Sequence, residues 1–189
     1  MVRLEHLLMI TAWMGLPMVT TFEIPTSDNG ELPDRLEAVH PTTGNRHDKN
    51  YFGCMTEDAI VTDVEAMGVR QIAVAGAETD VCILQSTLGL LDNGYEVFLL
   101  EDCLSTSEAH PGPALNRMYR AGAVPCTLKT MLYELVECVT GVPWYPEGWA
   151  MEDHPGAKPF PERFITPKSG RPGIRQTRAS PDPRRSRCA

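Results

Sequence analysis

No apolar run in the 189-residue chain approaches the roughly 18 residues of a membrane span, so no membrane partner is expected. No Cys-x-x-Cys pair occurs. The six cysteines, at 54, 82, 103, 126, 138 and 188, form no Cys/His cluster at zinc-ligand spacing. A disulfide scaffold does not suit a chain of this size and cysteine density. Gly-x-Gly-x-x-Gly and Walker patterns are missing, so the phosphate cradle of a nucleotide-binding fold is not there. The start also lacks a small-residue cleavage site, and Pro17 leads straight into a strand-like run. The cytoplasm is the expected compartment.

What remains is the composition of a globular protein. Hydrophobic residues make up 42% and charged residues 22%, which excludes collagen-like, coiled-coil and wholly disordered classes. The net charge of −8 is unevenly spread: from Pro155 onward there are 9 Lys/Arg against 2 Asp/Glu, whereas the rest holds 8 against 23. An acidic body argues against nucleic acid as a partner of the folded part. The basic, proline-rich end buries too little apolar surface to fold, so disorder is expected there. The chain therefore reads as a domain over 1–145 and a Pro/Arg-rich tail over 146–189.

Leu4, Leu7, Leu8 and Trp13 recur at helical spacing before Gly15, and Pro17 to Phe22 reads as a short buried strand. Glu23 to Lys49 is polar and broken by prolines and glycines, so a long loop is expected. A regular alternation follows. Helices are expected from Thr56 to Met67, from Thr79 to near Asn93, after a Ser105/Glu108 capping box as far as Gly122, and from about Thr130 to Val139. Strands fall between them at Val69–Gly76, Tyr95–Glu101 and Ala123–Cys126. Such alternation predicts an α/β, doubly wound, mainly parallel sheet with helices on both faces, a Rossmann-like three-layer sandwich.

Ligands of open α/β sheets bind beyond the carboxyl ends of the strands. There the turn Gly76-Ala77-Glu78-Thr79-Asp80-Val81-Cys82 leaves one strand and enters a helix. With Thr79 as N-cap, Cys82 lies in the first helical turn. Unpaired amides and the positive end of the helix dipole would lower its thiol pKa and could hold an oxyanion beside the sulfur. A buried packing cysteine is the competing reading. Cys103 and Cys126 end strands without a helix N-terminus beside them and read as packing. Lys49, closing the long loop in His47-Asp48-Lys49-Asn50-Tyr51-Phe52, would support a thiolate if brought against Cys82.

The run GAETDVCILQSTLGLLDNGYEVFLLEDCLS, HPGPALNRMYRAGAV after it, Lys49 and the GLPMVTTFE segment together resemble the isochorismatase-like cysteine hydrolases over about residues 2–140. The resemblance implies Cys82 as nucleophile and Lys49 as its partner. It also implies a cis peptide at Ala77–Glu78, with the amides of Glu78 and Cys82 as the oxyanion hole. Phe22, Tyr51 and Phe52, near the expected cleft, read either as substrate walls or as core. The family's nicotinamidase branch carries a metal site after the second strand. Here Glu23 could replace its aspartate, but Pro25 stands where the first histidine belongs, so neither metal nor other cofactor is expected.

The implied activity is hydrolysis of a small amide or carbamoyl-type substrate through a thioester, in a homo-oligomer. A catalytically impaired member acting as a binding or partner subunit is the alternative. The family's acid–base aspartate ends a first strand that this chain, opening into a helix at Val2, does not show. A truncated start is the expectation that follows, and Asp28 or Asp48 becomes the base if the chain is active as it stands.

Overall fold

Residues 2–136 are described in the computed structural model of the chain. The chain divides into one unit from Met1 to Leu128 and a second from Lys129 to Ala189. The boundary expected at 145/146, and the tail beyond it, lie outside the described residues.

In chain order the elements begin with α1 (Val2–Met14), β1 (Val19–Glu23), α2 (Thr26–Asn29), α3 (Asp34–Glu37) and β2 (Asn45–Lys49). A 3-10 turn at Cys54–Thr56 precedes α4 (Asp58–Ala66) and β3 (Gln71–Gly76). A π-helical turn at Thr79–Ile83 runs into α5 (Leu84–Asp92), followed by β4 (Glu96–Leu104), α6 (Gly112–Ala121), β5 (Val124–Cys126) and α7 (Leu128–Val136). Among the described residues all strand pairs are parallel, with helices on both sides, in a three-layer α/β fold. The strands form two sheets, β1–β2 and β3–β4–β5. Among the described residues β1 pairs with β2 alone and β3 with β4 alone.

β4 is the middle of its sheet, and its sequence shows why. Val97, Leu99 and Leu100 are all 0% exposed, the unbroken apolar run of a strand covered on both faces. Val97 and Leu99 join Ile60 and Val64 of α4, Val74 of β3, Leu90 of α5 and Met118 of α6 in the main core. Fully burying each such side chain contributes about 1.5–3 kcal/mol. Helix α1 also lies against β4, with Cys103 Sγ donating to the Arg3 carbonyl at 3.6 Å. Cys103 and Cys126 are buried, in keeping with packing roles. No helix among the described residues is long and apolar enough to cross a membrane.

Three local readings need correction. The long loop is not featureless: it holds two four-residue helices and β2, whose Asn-Arg-His-Asp-Lys run has no apolar alternation because it is an edge strand with mostly exposed side chains. The capping box at Ser105/Glu108 does not form. β4 runs on to Leu104, and α6 starts after Pro111 with a proline in its first turn. Thr79 caps nothing either; its hydroxyl donates to the Ser105 carbonyl at 2.9 Å.

Candidate active site

Parallel register builds the first half of the site. Glu23, the last residue of β1, is the direct partner of Lys49, the last residue of β2, and the Ile24 amide extends the ladder to the Lys49 carbonyl at 3.1 Å. Neighbours on paired strands point to the same face, so the two side chains meet. Lys49 is 3% exposed, and its Nζ donates to Glu23 Oε1 at 3.1 Å and to the Tyr51 carbonyl at 3.0 Å.

The second half comes from β3. Gly76 ends that strand at φ +120°, a conformation that favours glycine, and the Ala77–Glu78 peptide after it is cis. The turn is stitched to the segment following β4. The Ser105 carbonyl accepts from both the amide and the hydroxyl of Thr79, and the Ser105 amide returns a bond to the Gly76 carbonyl. Glu78 accepts from the Ser107 amide, and Thr106 donates to Asp80. So held, the π-helical turn presents Cys82, whose Sγ donates in a short contact to the same Glu23 Oε1 that Lys49 occupies. The carboxyl ends of β1, β2 and β3 thus meet around one carboxylate oxygen.

The electrostatics correct one expectation. The Cys82 thiol is held above its ordinary range, not below it: burial is the main cause, and the hydrogen bond to Glu23 and that carboxylate's charge add to it. The Glu78 amide, directed at the sulfur, and Lys49 oppose the rise without overcoming it. For Glu23, burial pushes the carboxyl up, but the bonds from Cys82 and Lys49 outweigh it and leave the group below its usual value. Cys54 is also held up, chiefly by burial. Cys103 is pushed up to about 12 by burial and the charge of Asp102.

Cys82, Lys49 and Glu78 are therefore brought together, and Ala77 lies in the turn between β3 and Cys82. Tyr51 and Phe52 follow Lys49 after Asn50 and are 55% and 50% exposed. Strand alternation turns Phe22 to the face of β1 opposite Glu23. Asp28 and Asp48 are exposed; Asp28 accepts from Ser27, and Asp48 alternates away from Lys49 on β2. Sequence reasoning missed Glu23 as a partner of the thiol. The signal was the β1–β2 register, readable only once β2 is known to be a strand. A separate open cavity of about 360 Å³, lined by Asp80, Glu108, His110 and Arg117 among others, does not include Cys82. Among the described residues no three His, Cys, Asp or Glu side chains are grouped to hold a metal ion.

The Isochorismatase domain family model matches residues 25–130. Isochorismatase family protein 1B of Dictyostelium discoideum is 38% identical over 139 residues, covering 72% of this chain and 68% of its own. The YcaC gene product of Escherichia coli, described as an octameric hydrolase of unknown specificity, aligns with a TM-score of 0.67 at 25% identity, over 74% of this chain and 71% of that one. YcaC from Pseudomonas aeruginosa, solved with hexane-2,5-diol and covalent acrylamide, gives a TM-score of 0.69 at 26% identity, over 75% and 70% of the two chains. Among curated relatives, the chain spans 66% and 68% of two Dictyostelium proteins and 55% of Escherichia coli YcaC.

Proposed function

The chain belongs to the isochorismatase family, and from that membership we propose that it is a cysteine-dependent hydrolase of small amide or carbamoyl-type substrates. The observation that carries the reading is the convergence of Cys82, Glu23 and Lys49 at the carboxyl ends of three parallel strands. Cys82 Sγ attacks the substrate carbonyl carbon. The Glu78 amide, which already points at the sulfur, and the Cys82 amide hold the oxyanion. Ammonia or an amine leaves, and water cleaves the resulting thioester, so the step needs no cofactor. Lys49 holds the site's negative charge in place from its buried position. Tyr51 and Phe52, exposed beside Lys49, offer apolar surface to the substrate.

The covalent acrylamide in the Pseudomonas aeruginosa relative supports a reactive nucleophile in this scaffold. The octameric Escherichia coli relative supports assembly of this chain with copies of itself. The test is mass spectrometry of the protein incubated with a panel of small amides and carbamoyl compounds. An acyl adduct on Cys82 with release of ammonia or amine is expected, and Cys82→Ser abolishes both. Turnover that persists undiminished in Cys82→Ser refutes the reading.

A further inference from the structure

We infer that Asp63 of α4 is a positioning residue for the site: by holding Asn45 and His47 it fixes β2, and with it Lys49, beside Glu23 and Cys82. The inference rests on the cysteine-hydrolase reading and deepens it. β2 runs Asn-Arg-His-Asp-Lys, with no apolar side chain to seat it, and among the described residues it pairs with β1 alone. Its hold on the helices around it must therefore be polar. Residues 45, 47 and 49 share one face of the strand. On that face Asp63 Oδ2 accepts from Asn45 Nδ2 at 2.9 Å and from His47 Nε2 at 2.6 Å. Two residues beyond His47, on the same face, Lys49 Nζ reaches Glu23 Oε1. One carboxylate oxygen thus gathers the side of β2 that leads into the site.

Asp63 suits this role because its own helix is fixed: Ile60 and Val64 of α4 lie in the main core. The opposite face of β2 has a polar tie too, from Arg46 to Glu37 of α3, but that pair is exposed and open to water and salt. The His47–Asp63 pair is part-buried. Releasing it frees the end of β2 to shift, and Lys49 with it. Lys49 then opposes the rise of the Cys82 thiol less, and Glu23 keeps a less compensated charge against the sulfur. The thiol goes further up. Loss of the Asp63 charge alone, with Lys49 unmoved, would act the other way, since one anion fewer eases ionisation. The sign of the change separates positioning from plain electrostatics.

The test is Asp63→Ala. Ala is the better helix former, so the exchange does not itself weaken α4. The pH midpoint of Cys82 alkylation by iodoacetamide should rise by about 0.5 unit, a fraction of the ~1–3 units that an adjacent charge can impose. Turnover of p-nitrophenyl acetate should fall by up to about 10²-fold, the cost of a small misplacement at the chemistry. His47→Ala should raise the midpoint too, and adding it to Asp63→Ala should bring no further rise, because both cut the same tie. Asp63→Asn, which keeps the shape and one acceptor, should give a smaller rise and stands in where the Ala variant does not fold. Met118→Ala, which weakens the core from α6, should lower stability to urea and leave the alkylation midpoint in place. A midpoint that stays or falls in the folded Asp63 variant overturns the inference. So does an equal rise in Met118→Ala, or full additivity in the double variant. If the midpoints behave as expected while the wild type turns over neither p-nitrophenyl acetate nor any amide of the panel, the positioning of Lys49 stands and the hydrolase reading falls.

Discussion

Replacing Lys49 with Met tests the pairing at its most buried point. Met keeps most of the apolar stem and its volume, so the change removes a charge and two hydrogen bonds more than it removes packing. Lys49 is 3% exposed and Glu23 29%, which places the pair between two regimes. Breaking a fully buried pair from one side costs about 3–5 kcal/mol, and an exposed pair is worth about 0.2–1 kcal/mol. A loss of about 2 kcal/mol at pH 7 is therefore expected, because the stranded carboxylate can still reach some water. The pH dependence gives a sharper reading. Glu23 has its carboxyl below the ordinary value of 4.5 in the folded chain. Its contribution is fully present above the unfolded value and is lost as the pH falls through the depressed one. Below that range the wild type holds a buried ammonium against a neutral acid, so the gap between the two proteins should close or invert. Urea unfolding followed by far-UV circular dichroism at pH 7 and near pH 3 measures both quantities. A gap below about 0.5 kcal/mol at pH 7 would place Lys49 among ordinary surface ion pairs. A gap that does not change with pH would mean that Glu23 is not its partner.

Two further outcomes bear on the core and on the thiol. Leu99→Ala, at a position 0% exposed in the middle strand, should cost about 3 kcal/mol in urea unfolding; a cost under about 1 kcal/mol would mean that β4 is not the centre of the packing. Among the four described cysteines, Cys82 should alkylate first with iodoacetamide, with a rate that keeps climbing above pH 9 because burial and Glu23 hold the thiol up. Faster labelling of Cys103, or a Cys82 rate that has levelled off by pH 7, contradicts the electrostatics of the site.

The α/β alternation was legible because each element after Gly53 carries its own signal. The apolar run in β4, the amphipathic face of α6 and the positive-φ stops at Gly68, Gly94 and Gly122 are local properties of the chain. β2 carries no such signal. As an edge strand it needs no apolar face, and its five residues become a strand by pairing with β1, a partner 26 residues away in register. The start of α6 misled for a related reason. Ser105 looks like a cap, but its backbone is committed to Gly76 and Thr79, so the helix waits for Pro111.

The site divides along the same line. Cys82 was legible because its turn lies between a strand and a helix within seven residues, and the direction of the Glu78 amide follows from that turn. The protonation state of the thiol was not legible. A helix terminus is a local feature and argues for a lowered pKa. Burial and Glu23 argue the other way, and both arise from tertiary packing. Glu23 and Lys49 meet only through strand register, and Cys82 reaches Glu23 across 59 residues of sequence. A candidate nucleophile can be read from a turn, but the carboxylate it touches is found only through the pairing of strands. This chain makes the point clearly, since the carboxylate nearest its thiol sits at the end of β1, in the register that an unread edge strand supplies.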